Sequence, residues 1–138
     1  MIAVVDASVA IKWYFDEVHG TNAEQLLEGS HDLYAPELIV PEFGNIVWKK
    51  VRQGQATANE GRTIISSFLQ RNISYKPHIP LLKAAYTGAE LSGQTVYDWT
   101  YLVLAVSLSC KFVTADEKFY NALKNTSIRK HLLWIGDL

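Results

Sequence analysis

The 138 residues include a single cysteine, Cys110, so no disulfide can close within the chain, and an intracellular protein is the simple expectation. Neither charge sign dominates: 13 Lys and Arg stand against 14 Asp and Glu, for a net charge of −1. That balance argues against a protein that coats nucleic acid through a basic surface, so any nucleic-acid contact must be local. No apolar run reaches the roughly 20 residues of a membrane span. The amino terminus is apolar only as far as Val5, too short for a signal peptide, and a soluble cytoplasmic protein with no membrane contact is expected. A glycine-rich phosphate loop and a serine nucleophile elbow are both missing. The histidines His19, His31, His78 and His131 show no metal-ligand spacing.

What is present is apolar and patterned. Hydrophobic residues make up 49% of the chain, enough for a core, and the length fits one domain over residues 1–138. Ile2 to Val5 reads as a buried parallel strand, and Leu33 to Ala35, Ile73 to Lys76, Lys111 to Thr114 and Leu132 to Ile135 read as further strands. Helices are expected over Ser8 to Phe15, Thr21 to Glu28, Pro36 to Arg52, Thr57 to Gln70, Ile79 to Leu91, Val96 to Ser109 and Glu117 to Leu123. Pro36 suits a first helical position. Pro41 does not suit a helix interior, so a kink or a fresh start is expected there, close to Glu42. Strands and helices alternate, which implies an α/β fold: a mostly parallel sheet of four or five strands, covered by helices on both faces.

In such a sheet, ligands bind beyond the carboxyl ends of the strands. Asp6 and Asp116 each follow a strand at that end. Asp98 opens the helix that feeds the strand before Asp116, and Glu42 lies near Pro41. Taken singly, each acid has a local explanation. Asp6 and Asp116 can cap helices. Asp98 stands three residues after Thr95 in a capping-box arrangement, and Glu42 can oppose a helix start. Taken together they are a problem of electrostatics. Two carboxylates about 4 Å apart repel by roughly 4 kcal/mol at an effective dielectric near 20. A cluster of them must raise its pKa values or admit a cation, and oxygen-only donors favour Mg²⁺ or Mn²⁺ over zinc.

The blocks "VVDASVAIKW", "PEFGNIVW", "YDWTYLVLA" and "TADEKF" resemble, in that order, the signature blocks of PIN-domain ribonucleases, most of all the VapC-type toxins of toxin–antitoxin pairs. The resemblance spans nearly the whole chain. It implies a PIN-like three-layer fold and a metal-dependent endoribonuclease that cleaves single-stranded RNA to 5′-phosphate and 3′-hydroxyl ends. It implies Asp6, Glu42, Asp98 and Asp116 as the catalytic and metal-binding acids, with Mg²⁺ or Mn²⁺ as the cofactor. By the same likeness Ser8, Thr114 and Asn45 match the polar residues that orient ligands and water. A homodimer and a cognate antitoxin protein are implied as partners, alongside the RNA substrate. A housekeeping PIN nuclease of RNA processing and a non-catalytic PIN binding module are the alternatives. A haloacid-dehalogenase phosphatase would want a second aspartate two residues after Asp6, where Ser8 stands.

Lys49, Lys50 and Arg52 are candidate RNA contacts, although cations at a helix carboxyl end are also ordinary dipole partners, and that reading is favoured. The aromatic run Trp13 to Phe15 is expected to pack, in the core or against another subunit, more than to stack on bases.

Overall fold

The computed structural model describes residues 1–138. The apolar run Ile2–Val5 forms β1, with Ala3, Val4 and Val5 fully buried, as a central parallel strand requires. Asp32–Pro36 forms β2, Ile73–Lys76 β3, Lys111–Thr114 β4 and Leu132–Trp134 β5. All neighbours pair in parallel, in the order β3-β2-β1-β4-β5. Val4 stands opposite Tyr34 on one side and Phe112 on the other, so β1 is the centre of the sheet.

The helices are α1 (Ala7–Ala10), α2 (Gly20–Gln25), α3 (Ile39–Arg52), α4 (Ala58–Leu69), α5 (Leu82–Ser92), α6 (Val96–Ser107) and α7 (Glu117–Leu123). Right-handed crossovers put α1 to α4 on one face and α5 to α7 on the other, which gives three layers. On the first face Phe43 of α3 stacks on Phe68 of α4, with ring centroids 3.9 Å apart. On the second, Tyr101 of α6 lies parallel to Phe112 of β4 at 5.5 Å. A cluster of 27 buried apolar residues joins these layers.

Several expectations shift. Pro36, expected to open a helix, instead closes β2 opposite Lys76. Its missing N–H falls beyond Tyr34, where the pairing with β1 stops, so no ladder bond is lost. At Pro41 the chain takes a fresh start rather than a kink. Helix α3 begins at Ile39, and Pro41 lies in the first turn, where an N–H has no intrahelical partner in any case. The expected helix from Ser8 to Phe15 is a short α1 followed by a 3-10 turn over Ile11–Trp13, where the Trp13 indole N–H donates to the Ala23 carbonyl at 2.9 Å. Helix α2 stops at Gln25, short of Glu28, and the segment from Ile79 is a 3-10 turn that becomes α5 at Leu82. Gly93, with φ of 73°, ends α5 in the left-handed conformation that glycine adopts without strain.

Candidate active site

Strand order reverses direction between β1 and β4, and the crevice beyond the carboxyl ends of two such strands is where an open parallel sheet binds ligands. Asp6 follows the last residue of β1. Thr114 ends β4, and Asp116 follows two residues later. Glu42 enters from the first turn of α3 and Asp98 from the first turn of α6.

Asp6 is buried, at 6% exposure, and its two oxygens have separate duties. Oδ1 accepts from the Ser8 hydroxyl at 2.6 Å and from the Val9 N–H at 3.0 Å, which caps α1. Oδ2 accepts from the Thr114 hydroxyl at 3.1 Å, across the gap between β1 and β4. The Thr114 oxygen in turn accepts the Asp116 N–H at 3.0 Å, and Asp116 Oδ1 caps α7 by accepting the Phe119 N–H at 3.1 Å. The Ser8 hydroxyl oxygen accepts the Ala115 N–H at 3.4 Å. Ser8 and Thr114, expected beside the acids, are thus bonded directly to Asp6 and to the backbone that carries Asp116. Burial pushes the Asp6 carboxyl up to about 6 in spite of these bonds, and the Asp98 charge adds to the rise.

Glu42 is half-buried. Burial, then the charges of Asp6 and Asp98, raise its carboxyl to about 7, against a hydrogen bond from Tyr101 that favours the ionised form. Asp98 also lies above its ordinary value, first through burial and then through the Asp116 charge, with Thr95 and Lys118 opposing. The Thr95 hydroxyl accepts the Asp98 N–H at 3.1 Å and donates to Asp98 Oδ2 at 3.0 Å. The capping arrangement expected there forms through side chains, without the reach of Asp98 to the Thr95 N–H that a full capping box has.

All four acids therefore lie in one electrostatic neighbourhood, linked through Asp98. They do not close on a point: no three Asp, Glu, His or Cys side chains converge tightly enough to chelate a single ion in this structure. Three of the carboxylates are nevertheless held in the same way. Glu42 Oε1, Asp98 Oδ2 and Asp116 Oδ1 accept bonds from the protein, while Glu42 Oε2, Asp98 Oδ1 and Asp116 Oδ2 accept none. Asp6 Oδ2 accepts only one. In Glu42, Asp98 and Asp116 one oxygen is fixed and the other is free, whereas Asp6 is held through both oxygens.

Tyr101 is a site residue that sequence reasoning missed. It is 1% exposed, and its hydroxyl donates to Glu42 Oε1 at 3.1 Å. Its spacing of three from Asp98, one helical step on the same face of α6, is the signal that was available. Asn45 is exposed and forms no hydrogen bond with any acid. Among the candidate RNA contacts, Lys50 is turned to the protein: its ammonium is 2.7 Å from Glu17 and 4.9 Å above the Phe15 ring. Lys50 is thus paired within the protein. Arg52 lies over the exposed Trp48 ring at 5.1 Å, and Lys49 is exposed. Trp13, Tyr14 and Phe15 pack against the core, as expected for that run.

Comparison with known proteins gives three kinds of likeness. The family model described as PIN domain matches residues 3–124. Ribonuclease VapC3 of Pyrobaculum aerophilum is 30% identical over 120 residues, which cover 86% of this chain and 92% of that one. Among solved structures, PAE2754 of Pyrobaculum aerophilum superposes with a TM-score of 0.74 at 20% identity, covering 99% of this chain and 85% of the other. VapBC2 of Rickettsia felis, bound to a DNA fragment from its promoter, superposes with a TM-score of 0.62 at 15% identity, covering 97% and 98%.

Proposed function

The chain belongs to the PIN-domain family, and from that premise we propose that it is a divalent-metal-dependent endoribonuclease, cleaving single-stranded RNA as the toxin of a toxin–antitoxin pair. Residues 1–138 are read as one such domain. The observation that carries the reading is the treatment of the carboxylates: four acids share one neighbourhood, and Glu42, Asp98 and Asp116 are each anchored through one oxygen with the other left free, while Asp6 is held through both. A fold that needed only helix caps would have no reason to gather them.

Asp6, Glu42, Asp98 and Asp116 are the proposed metal-binding and catalytic residues. The donor set fits the cation. Hard oxygen ligands suit Mg²⁺ or Mn²⁺, and repulsion with raised carboxyl pKa values is the condition that a divalent charge relieves. When bound there, the cation supplies charge neutralisation at the scissile phosphate and an activated water. The chain's own residues do the positioning. Ser8 and Thr114 hold Asp6 and tie the end of β1 to the end of β4, and Thr95 holds Asp98. Lys49 and Arg52, at the carboxyl end of α3, are the remaining cations proposed to meet RNA.

The ribonuclease named VapC3 supports the activity, and the VapBC assembly among the fold neighbours supports a cognate antitoxin. A homodimer is part of the same proposal. No helix is long and apolar enough to cross a membrane. The test is cleavage of a labelled single-stranded RNA by the purified chain with MgCl₂, MnCl₂ or EDTA, with the product ends mapped. Metal-dependent cleavage to 5′-phosphate ends, lost in Asp98→Asn, is expected. Equal cleavage in EDTA, or full activity in Asp98→Asn, refutes the proposal.

A further inference from the structure

We propose that Tyr101 is a positioning residue of this site, whose phenol O–H fixes the Glu42 carboxylate through Oε1 and leaves Oε2 for the cation. The inference rests on the ligand reading given above and goes beyond it.

Three observations carry it. First, the hydroxyl is not needed by the core. A tyrosine that is 1% exposed and stacked on Phe112 at an interplanar angle of 12° would pack as well as phenylalanine, and a buried hydroxyl is unfavourable unless bonded. Its partner is Glu42 Oε1, 59 residues away in sequence. Second, the ring is held on a fully buried strand residue, Phe112 of β4, so the oxygen it presents is fixed relative to the sheet. Third, Tyr101 and Asp98 share α6, three residues apart, so one rigid helix sets the place of one acid directly and of another through the phenol. Glu42 has a long side chain with several rotamers. Without the O–H it keeps no hydrogen bond from the protein. Hydrogen bonds to charged acceptors are among the stronger ones, so losing one should loosen the ligand about tenfold or more.

The test is calorimetric titration of MnCl₂ into the full metal-free chain without RNA, for the wild type, Tyr101→Phe, Glu42→Gln and the double variant. Tyr101→Phe is expected to bind Mn²⁺ roughly tenfold more weakly. The double variant is expected to bind no more weakly than Glu42→Gln, because Tyr101 acts only through Glu42. Wild-type affinity in Tyr101→Phe, or a loss that adds in full to that of Glu42→Gln, overturns the inference. Unchanged affinity in Glu42→Gln is a different result: it removes Glu42 from the ligand set and takes the inference with it. Circular dichroism checks folding. Should Tyr101→Phe fail to fold, ¹⁹F NMR of the wild type carrying 3-fluorotyrosine gives the answer, with the Tyr101 signal assigned by Phe variants at the other tyrosines. A shift of that signal on adding MgCl₂, absent in Glu42→Gln, is expected, and no shift overturns the inference.

Discussion

Asp6→Asn should make the metal-free protein more stable at pH 8 and no more stable at pH 4. The Asp6 carboxyl lies at about 6 in the fold against an ordinary 3.8. The folded state therefore binds the proton more tightly than the unfolded chain does. That contribution is fully present below the ordinary value and is lost as pH rises through about 6. At roughly 1.4 kcal/mol per pH unit, ionising Asp6 in the fold costs about 0.5 kcal/mol at pH 4 and about 3 kcal/mol at pH 8. Asparagine removes this cost. It keeps an acceptor for Ser8 and Val9, but it presents a donor to Thr114 and orphans that hydroxyl's hydrogen, a loss of about 1 kcal/mol. The net change is therefore about −0.5 kcal/mol at pH 4 and about +2 kcal/mol at pH 8. Urea unfolding in EDTA at pH 4, 6 and 8 measures it. A variant destabilised by the same margin at all three values would show that Asp6 ionises without penalty, and the argument from burial would fail. Adding MgCl₂ at pH 8 should stabilise the wild type and leave Asp6→Asn almost unmoved.

Asp116→Ala should lose about 1 kcal/mol by removing the cap on α7, while Asp116→Asn keeps the cap and stays near wild type. Both should lose RNA cleavage, and melting curves beside a cleavage assay separate the two roles. Thr114→Val preserves shape but deletes the donor to Asp6 and the acceptor for the Asp116 N–H, so urea unfolding should show a loss of about 1–3 kcal/mol. Gly88→Ala should destabilise by about 1–3 kcal/mol, because a Cβ there would meet Trp99 ring atoms at 2.2 and 2.3 Å where α5 lies against α6. A melting point equal to wild type in that variant would mean that the two helices separate without cost.

Legibility in the sequence followed the range of the interactions involved. The bounds of β4 agree with its apolar run, because a strand buried on both faces leaves a continuous local signature. Thr95, Asp6 and Asp116 were visible as caps for the same reason. Pro36 was misread because a fixed φ near −65° suits a strand end and a helix start alike. The single helix expected from Ser8 tightens at Ile11 into a 3-10 turn, whose last residue, Trp13, bonds to Ala23 in the following helix, a partner that lies ten residues on. Lys50 and Tyr101 needed still longer reach. Glu17 and Glu42, their partners, come from other elements, and nothing near either residue in sequence names them.

Capping and chemistry first stood as rival accounts of the same acids, and the structure removes the rivalry, since a carboxylate has two oxygens and a cap occupies one. The energies still discriminate. Asparagine and serine cap a helix about as well as aspartate does. At position 6 either would supply the bond to the Val9 N–H without the roughly 3 kcal/mol that ionised Asp6 loses near neutral pH by being buried near another acid. Selection for stability alone would therefore favour the neutral cap. Glu42 points the same way: its first-turn position rewards a negative charge, yet burial and two like charges hold its carboxyl at about 7. The fold keeps acids where uncharged residues would serve it better, a liability that the proposed divalent cation would turn into an advantage.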